Sequence, residues 1–418
     1  WSKQVFFQRR SWSKQVFFQR RSWSKQVFFA IITSMITRSA EKEIIKTLHQ
    51  GLVSIVYGAR QVGKTTLAKQ IAKGYSNPLY LNCDDPTVVT SLTEKSAIEL
   101  KSYIGNSDLV IIDEAQRVEN IGITIKLIHD TYPEINLLVT GSSSLDLSNK
   151  ISEPLTGRSV ETILYPLSIE EVSENPAEIE INSKILMVRG GYPGMWNLSA
   201  ATAYQRLSSI ATNYLYRDAF APQVVYDQTI INNLLRLLAY QIGNEVNYSE
   251  LSQRLGIASE TVKRYIDLLE KAFIIFRRNQ YRRNQRAEIG KLRKIYFTDL
   301  GIRNALIDNF NPIETREDVG ALWENFCVIE RLKYIQSQEL RIRSFYWRNS
   351  EKREIDIVEE EGKILRAFEC KYGNKQPKPP IDFTRSYPQA SFSVVSPKNF
   401  SSAILTPSQT GLFTENMF

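Results

Sequence analysis

Across residues 52–167, short apolar runs alternate with segments whose apolar positions fall three and four apart. Leu52-Val53-Ser54-Ile55-Val56-Tyr57 reads as a buried strand, and Leu79-Tyr80-Leu81-Asn82, Leu109-Val110-Ile111-Ile112 and Leu137-Leu138-Val139-Thr140 read as three more. Continuous apolar strands separated by helical stretches predict a parallel sheet with helices on both faces, because only a strand covered twice is apolar throughout. Residues 176–230 read as mostly helical. Next come an apolar helix over Ile230–Ile242, a second over Tyr248–Leu255 capped by Asn247 or Ser249 and ended by Gly256, and a third from Ser259 to Leu269. Strands Phe273–Phe276 and Lys294–Phe297 follow, so helix, glycine-containing turn, helix and two strands predict a winged helix. The last patterned stretch gives a helix over Leu322–Glu330, then strands at Phe345–Trp347, Arg353–Val358 and Leu365–Lys371, with a turn at Glu359–Gly362.

Chemistry enters where the first strand meets its helix. Gly58-Ala59-Arg60-Gln61-Val62-Gly63-Lys64-Thr65-Thr66 has Walker A spacing in the strand–loop–helix context that the motif needs. Glycines let the loop turn its N–H groups toward phosphate oxygens, and the helix N-terminus adds partial positive charge. Lys64 is then expected to reach the terminal phosphates of ATP and Thr65 to hold Mg²⁺. The third strand ends in Asp113-Glu114, predicting Asp113 in the metal shell with Thr65 and Glu114 as the residue that orients the attacking water. Thr140 and Ser142, at the end of the fourth strand, are candidate sensors of the γ-phosphate; ordinary turn chemistry explains Gly141-Ser142-Ser143 equally well. Arg158 is a candidate arginine finger acting across a subunit boundary, which would require a homo-oligomer.

Two further sets of residues carry chemistry. Arg277, Arg278, Arg282, Arg283, Arg286, Lys291 and Arg293, with Tyr281 among them, make the expected wing basic. That suits sequence-independent, salt-sensitive contact with a DNA backbone, while Ser259, Thr261, Lys263 and Arg264 of the third helix would face a groove. In the C-terminal strands, period-two alternation places Glu354 with Asp356, and Glu369 with Lys371, while Ile355, Ile357, Phe368 and Cys370 point the other way. Three carboxylates and an amine would converge if the two polar faces coincide.

Composition narrows little. The chain has 418 residues, 43% hydrophobic and 23% charged, so two or three ordinary globular domains are expected. The net charge of +8 is not a nucleic-acid signal, since residues 1–34 hold seven Lys or Arg and no acid, leaving +1 elsewhere. Residues 1–29 repeat Trp-Ser-Lys-Gln-Val-Phe-Phe-Gln-Arg-Arg-Ser in identical copies, unlike degenerate structural repeats. This leader, 1–34, is expected to lie outside the fold, with translation starting at Met35. Its apolar run Val27–Ile32 is too short to span a bilayer, so no membrane partner is expected. Three scattered cysteines exclude a disulfide framework and point to a reducing, cytoplasmic compartment. With only two histidines, histidine-based catalysis is excluded as a theme.

Taken together, the Walker loop, Asp84-Asp85-Pro86, Asp113-Glu114-Ala115-Gln116, Thr140-Gly141-Ser142-Ser143, Leu155-Thr156-Gly157-Arg158, Tyr165-Pro166-Leu167-Ser168 and Gly190-Gly191-Tyr192-Pro193 resemble a bacterial and archaeal family of AAA+ ATPases, many with a C-terminal nuclease-like domain. Arg217-Asp218 also matches a signature of that family, and Ala59 departs from it, replacing a common proline. The C-terminal set resembles a PD-(D/E)xK nuclease core. That resemblance implies Mg²⁺ or Mn²⁺ on Asp356, Glu369 and Glu324, with Lys371 positioning the nucleophile. The expected architecture is α/β: an ASCE-type P-loop ATPase domain over 35–175, a helical lid over 176–230, a winged helix over 231–302, a restriction-endonuclease-like domain over 303–400 and a tail over 401–418. The expected function is Mg²⁺-dependent ATP hydrolysis coupled to DNA binding or cleavage. The alternatives are a signalling or regulatory ATPase whose C-terminal domains bind protein or nucleic acid without cutting, and a repressor-like regulator.

Overall fold

Strand β1 (Val53–Tyr57) is completely buried because it runs between two neighbours and under helices on both faces. In this computed structural model, which describes residues 36–141, 154–213, 227–282 and 293–406, β1 belongs to a five-stranded parallel sheet. Its other members are β2 (Pro78–Asn82), β3 (Leu109–Asp113), β4 (Asn136–Gly141) and β5 (Ser159–Ile163), in the order β2-β3-β4-β1-β5. Alternate residues of each strand feed two separate cores. Val53, Ile55, Val110, Ile112, Leu137 and Val139 pack on helices Ala97–Ile104 and Ile121–Thr131, while Val56, Ile111 and Leu138 pack on Ala40–His49 and Lys64–Ala72. Each fully buried aliphatic side chain contributes ~1.5–3 kcal/mol. This order places β4 between β1 and β3, so the loop after β1 and the acid ending β3 face each other across the end of one strand. The sheet and its flanking helices form a P-loop nucleotide-binding fold.

The expected helices of the middle segment are present as Pro176–Arg189, Pro193–Trp196 and Ala200–Asn213; Arg217 and Asp218 fall outside the described residues, as does the leader. Helices Gln228–Tyr240, Tyr248–Leu255 and Ser259–Lys271 come next, and Asn247, not Ser249, caps the second by accepting from the N–H groups of Ser249 and Glu250. A small antiparallel sheet completes this part: β6 (Glu245–Val246), β7 (Ile275–Arg278) and β8 (Arg293–Phe297), ordered β6-β8-β7.

The C-terminal part wraps the long helix Val319–Ser337 against a sheet ordered β12-β11-β10-β9, made of β9 (Arg343–Arg348), β10 (Glu354–Glu361), β11 (Ile364–Cys370) and β12 (Ser391–Val395). Here the simple alternation expected from the sequence fails. Pairing of β10 with β9 shifts register between Ile355 and Val358, the mark of a bulge. One extra residue breaks the period, so Ile355 joins a core with Val358, Ala367 and Trp347, while Ile357 faces the opposite core with Phe368 and Cys370. Among the described residues no helix is long and apolar enough to cross a membrane.

Candidate functional site

The loop between β1 and helix Lys64–Ala72 is shaped by its glycines. A Cβ on Gly58 would come within 2.3 Å of the Leu164 carbonyl oxygen, and Gly63 caps the helix with φ +99°. Only glycine meets both conditions without displacing backbone. Ala59 and Val62 point into the core, whereas Arg60, Gln61 and Thr66 are exposed. The side chain of Ala59 therefore only packs, which explains why a residue other than proline is tolerated there. Lys64 is buried and its ammonium donates to the carbonyls of Gly58 (2.9 Å) and Ala59 (3.0 Å).

Asp113 is the centre of the second half. It emerges at the carboxyl end of β3, 3% exposed, and accepts hydrogen bonds from three hydroxyls. Thr65 reaches Oδ2 at 2.7 Å, Tyr80 reaches the same oxygen at 2.5 Å, and Thr140 donates to Oδ1. Thr65, Asp113 and Thr140 are thus brought together. Glu114 follows in the left-handed region (φ 55°), with its carboxylate held by the Gln116 amide at 2.6 Å and its N–H directed to the Thr140 hydroxyl. Ser142 falls outside the described residues. The sequence missed Tyr80, which looks like any strand residue. It also missed Arg38, whose guanidinium donates to Val62 O (2.8 Å) and Tyr165 O (2.6 Å) and pairs with Glu171. No local pattern marks an arginine that acts across so much intervening chain.

Arg158 is not part of this constellation. It sits where β5 begins, at the opposite end of the sheet from the loop, and its Nε lies 2.7 Å from Asp130 Oδ1. That guanidinium and the His129 ring hold the exposed Asp130 carboxyl down at about 2.

Contacts beyond the loop lead toward the C-terminal part. The segment 165–171 that Arg38 grips also receives Lys333, which donates to Leu167 O at 3.0 Å, and Glu330, which accepts from the N–H of Ile169 at 2.7 Å. The Gly191 carbonyl accepts from Leu167, and its N–H donates to the buried carboxylate of Asp299 at 2.7 Å.

The basic wing needs correction. Arg277 is turned inward onto Asp267 and Glu270, and Arg278 is 5% exposed with one guanidinium nitrogen on Ser344. A guanidinium engaged with carboxylates inside its own fold is not offered to a phosphate backbone. Arg282 contacts the Gln280 side chain; Arg293 is half-buried; Arg283, Arg286 and Lys291 fall outside the described residues.

The expected nuclease-like metal set is corrected too. Asp356 and Glu324 do approach each other, yet between them lies the ammonium of Lys294, 2.9 Å from Glu324 Oε1, 3.3 Å from Glu354 Oε1 and 3.9 Å from Asp356 Oδ1. Tyr296 donates to the same Glu324 oxygen at 2.7 Å, and the Cys370 N–H donates to Asp356 at 2.7 Å. Lys371 pairs with Glu369 at 2.6 Å. Burial, and then the charges of Glu324 and Glu369, push the Asp356 carboxyl well above the ordinary carboxylate range. Among the described residues no group of three or more His, Cys, Asp or Glu is arranged to hold a metal ion. Spacing along β8 does place Lys294 and Tyr296 on one face, the one sequence signal that could have found this cluster.

Comparison with known proteins agrees with the N-terminal reading. Residues 50–173 match an AAA domain family. Residues 182–312 and 319–408 match two families described only as domains of unknown function. An uncharacterized protein of Mycobacterium tuberculosis is 28% identical over 343 residues, covering 80% of this chain and 73% of that protein. One from Methanocaldococcus jannaschii is 22% identical over 313 residues, covering 69% and 68%. Among solved structures, the Walker-type ATPase of Pyrococcus abyssi is 16% identical with a TM-score of 0.46, covering 65% of this chain and 96% of that one.

Proposed function

We propose that this protein hydrolyses ATP with Mg²⁺ at the Lys64–Asp113 site and uses the turnover to reposition its C-terminal half. The observation that carries the reading is the convergence of Thr65, Thr140 and the buried Asp113 beside a glycine-shaped phosphate loop. The donor set fits the group. A loop with glycines at its two tight points and a helix N-terminus suits a triphosphate, and a hydroxyl beside a carboxylate suits a hard divalent ion. Thr65 and Asp113 would hold the metal, and Lys64 with the loop amides would hold the phosphates. When bound, Mg²⁺ neutralises charge on the β- and γ-phosphates. Glu114, kept in place by Gln116, orients the attacking water, and Thr140 ties Asp113 and the Glu114 backbone into one unit that responds to the terminal phosphate.

The route of the output is supported by Arg38, which joins the phosphate loop at Val62 to the segment that Lys333 and Glu330 grip. For the C-terminal half we favour binding without cutting, because an ammonium sits among the carboxylates that a nuclease metal would need. The order of helices and strands over 228–297 supports a winged-helix-like unit, with Arg264 and Arg282, among the described residues, as cations offered to nucleic acid. Radiolabelled ATP tests the first claim: wild type should bind and hydrolyse it, and Lys64→Ala should not. A duplex DNA probe titrated across a salt series, with Mn²⁺ present, tests the second. Salt-sensitive binding without strand nicking is expected, and nicking that Asp356→Asn removes would reverse it.

A further inference from the structure

The cluster around Lys294 has a property independent of the ATP site. Its side chain is 0% exposed, comes from β8 of the small sheet, and projects among acids carried by the helix Val319–Ser337 and by β10. An isolated ammonium in such a place costs several kcal/mol, so Lys294 is there only because of the acids around it. The acids are Glu324, Glu354 and Asp356, and the Tyr346 ring lies 5.7 Å from the ammonium on another side. Carboxylate oxygens gathered around one compact positive centre are the ligand set of a hard cation. Here the centre is the chain's own amine, which donates up to three hydrogen bonds.

We propose that Lys294 is the resident cation of this acid cluster, standing where a divalent ion would otherwise bind, so that the C-terminal domain is assembled metal-free and has no cleavage centre. It follows that deleting the ammonium turns the cluster into a divalent-cation site. The oxygens lie 2.9–3.9 Å from Nζ and would close to the ~2.0–2.6 Å typical of hard cations. Rotation of the Glu324 and Glu354 side chains supplies that movement. The seam between the small antiparallel sheet and the C-terminal sheet does not depend on Lys294 alone. Arg348 pairs with Glu245 at 3.0 Å and lies 3.7 Å from Glu354, Tyr346 donates to Glu245 at 2.9 Å, and Gln280 bridges to Tyr346.

The test is a nucleotide-free Mn²⁺ titration of the full chain, followed by electron paramagnetic resonance and thermal unfolding, in an Asp113→Asn background that removes the ATP-site carboxylate. With Lys294 intact, no stoichiometric Mn²⁺ should bind and the melting temperature should not respond. Lys294→Met should take up one Mn²⁺ at least about tenfold more tightly and melt higher in its presence. Adding Asp356→Asn should abolish both effects. Binding to the intact cluster that Asp356→Asn removes, or a gain in Lys294→Met below that margin, overturns the proposal. A Lys294→Met protein that stays unfolded in excess Mn²⁺ does so equally.

Discussion

Two sites in this chain, each with a lysine and a buried aspartate, are built in opposite ways. Around Asp113 the carboxylate is held by three neutral hydroxyls, and Lys64 donates to two backbone carbonyls. Around Asp356 the amine of Lys294 is in direct contact with acids. Neutral hydroxyl donors fix the position of a carboxylate without cancelling its charge, which is what the metal role proposed for Asp113 requires. Ionic partners cancel it, so the second is spent on holding two parts of the fold together. The residue types alone do not separate a binding site from a structural one; the charge of their nearest neighbours does.

Lys64→Ala breaks the comparison at its strongest point. It should lower ATP turnover by ~10²–10³-fold or more, with little change in the urea midpoint. Lys294→Ala should do the reverse, costing ~3–5 kcal/mol in urea unfolding because it leaves buried carboxylates uncompensated. Tyr80→Phe removes one of the three hydroxyls on Asp113. A change of about 1 kcal/mol in stability is expected, with a shifted Mg²⁺ requirement for turnover, read as the metal concentration at half-maximal rate.

A pH series separates the two clusters further. The Asp356 carboxyl is raised by burial first and by Glu324 and Glu369 next, so the folded chain keeps its proton to higher pH than the unfolded chain does. Its contribution to stability therefore declines as pH rises above the unfolded value of ~3.9. Urea midpoints between pH 4 and 8 should show this decline in wild type and a weaker one in Asp356→Asn. Asp318 behaves with the opposite sign: burial raises it, but Arg316 and Arg303 outweigh burial and hold it at about 2, so its stabilisation is lost only as pH falls from ~4 toward that value. Arg158→Ala should have the smallest effect, within ~0–1 kcal/mol, since its pair with Asp130 is exposed. Turnover lost only at concentrations where the chain self-associates would reveal a role across a subunit boundary.

The ATP half was legible because each of its parts is local. A loop of fixed spacing follows one strand, an acid ends another, and parallel pairing brings strand ends together without further instruction; hence Thr65 and Asp113 meet although 48 positions apart. In the C-terminal half the helices and strands were legible but the arrangement of the charged residues was not, for two particular reasons. A bulge in β10 moves Ile355 away from Ile357, which strict alternation cannot foresee. Arg277 reads as part of a basic wing and Lys294 as the first residue of a strand, and their partners, Asp267 and Asp356, are chosen by packing, not by spacing. Arg38 and Tyr80 belong to the same class: single side chains whose roles appear only once distant strands are assembled.

Equilibrium binding of a fluorescent ATP analogue with Mg²⁺, comparing wild type, Lys64→Ala and Lys294→Met, tests the central claim most directly. Saturable binding by wild type and by Lys294→Met, absent in Lys64→Ala, is the predicted result. Equal binding by wild type and Lys64→Ala, or none by either, would contradict it.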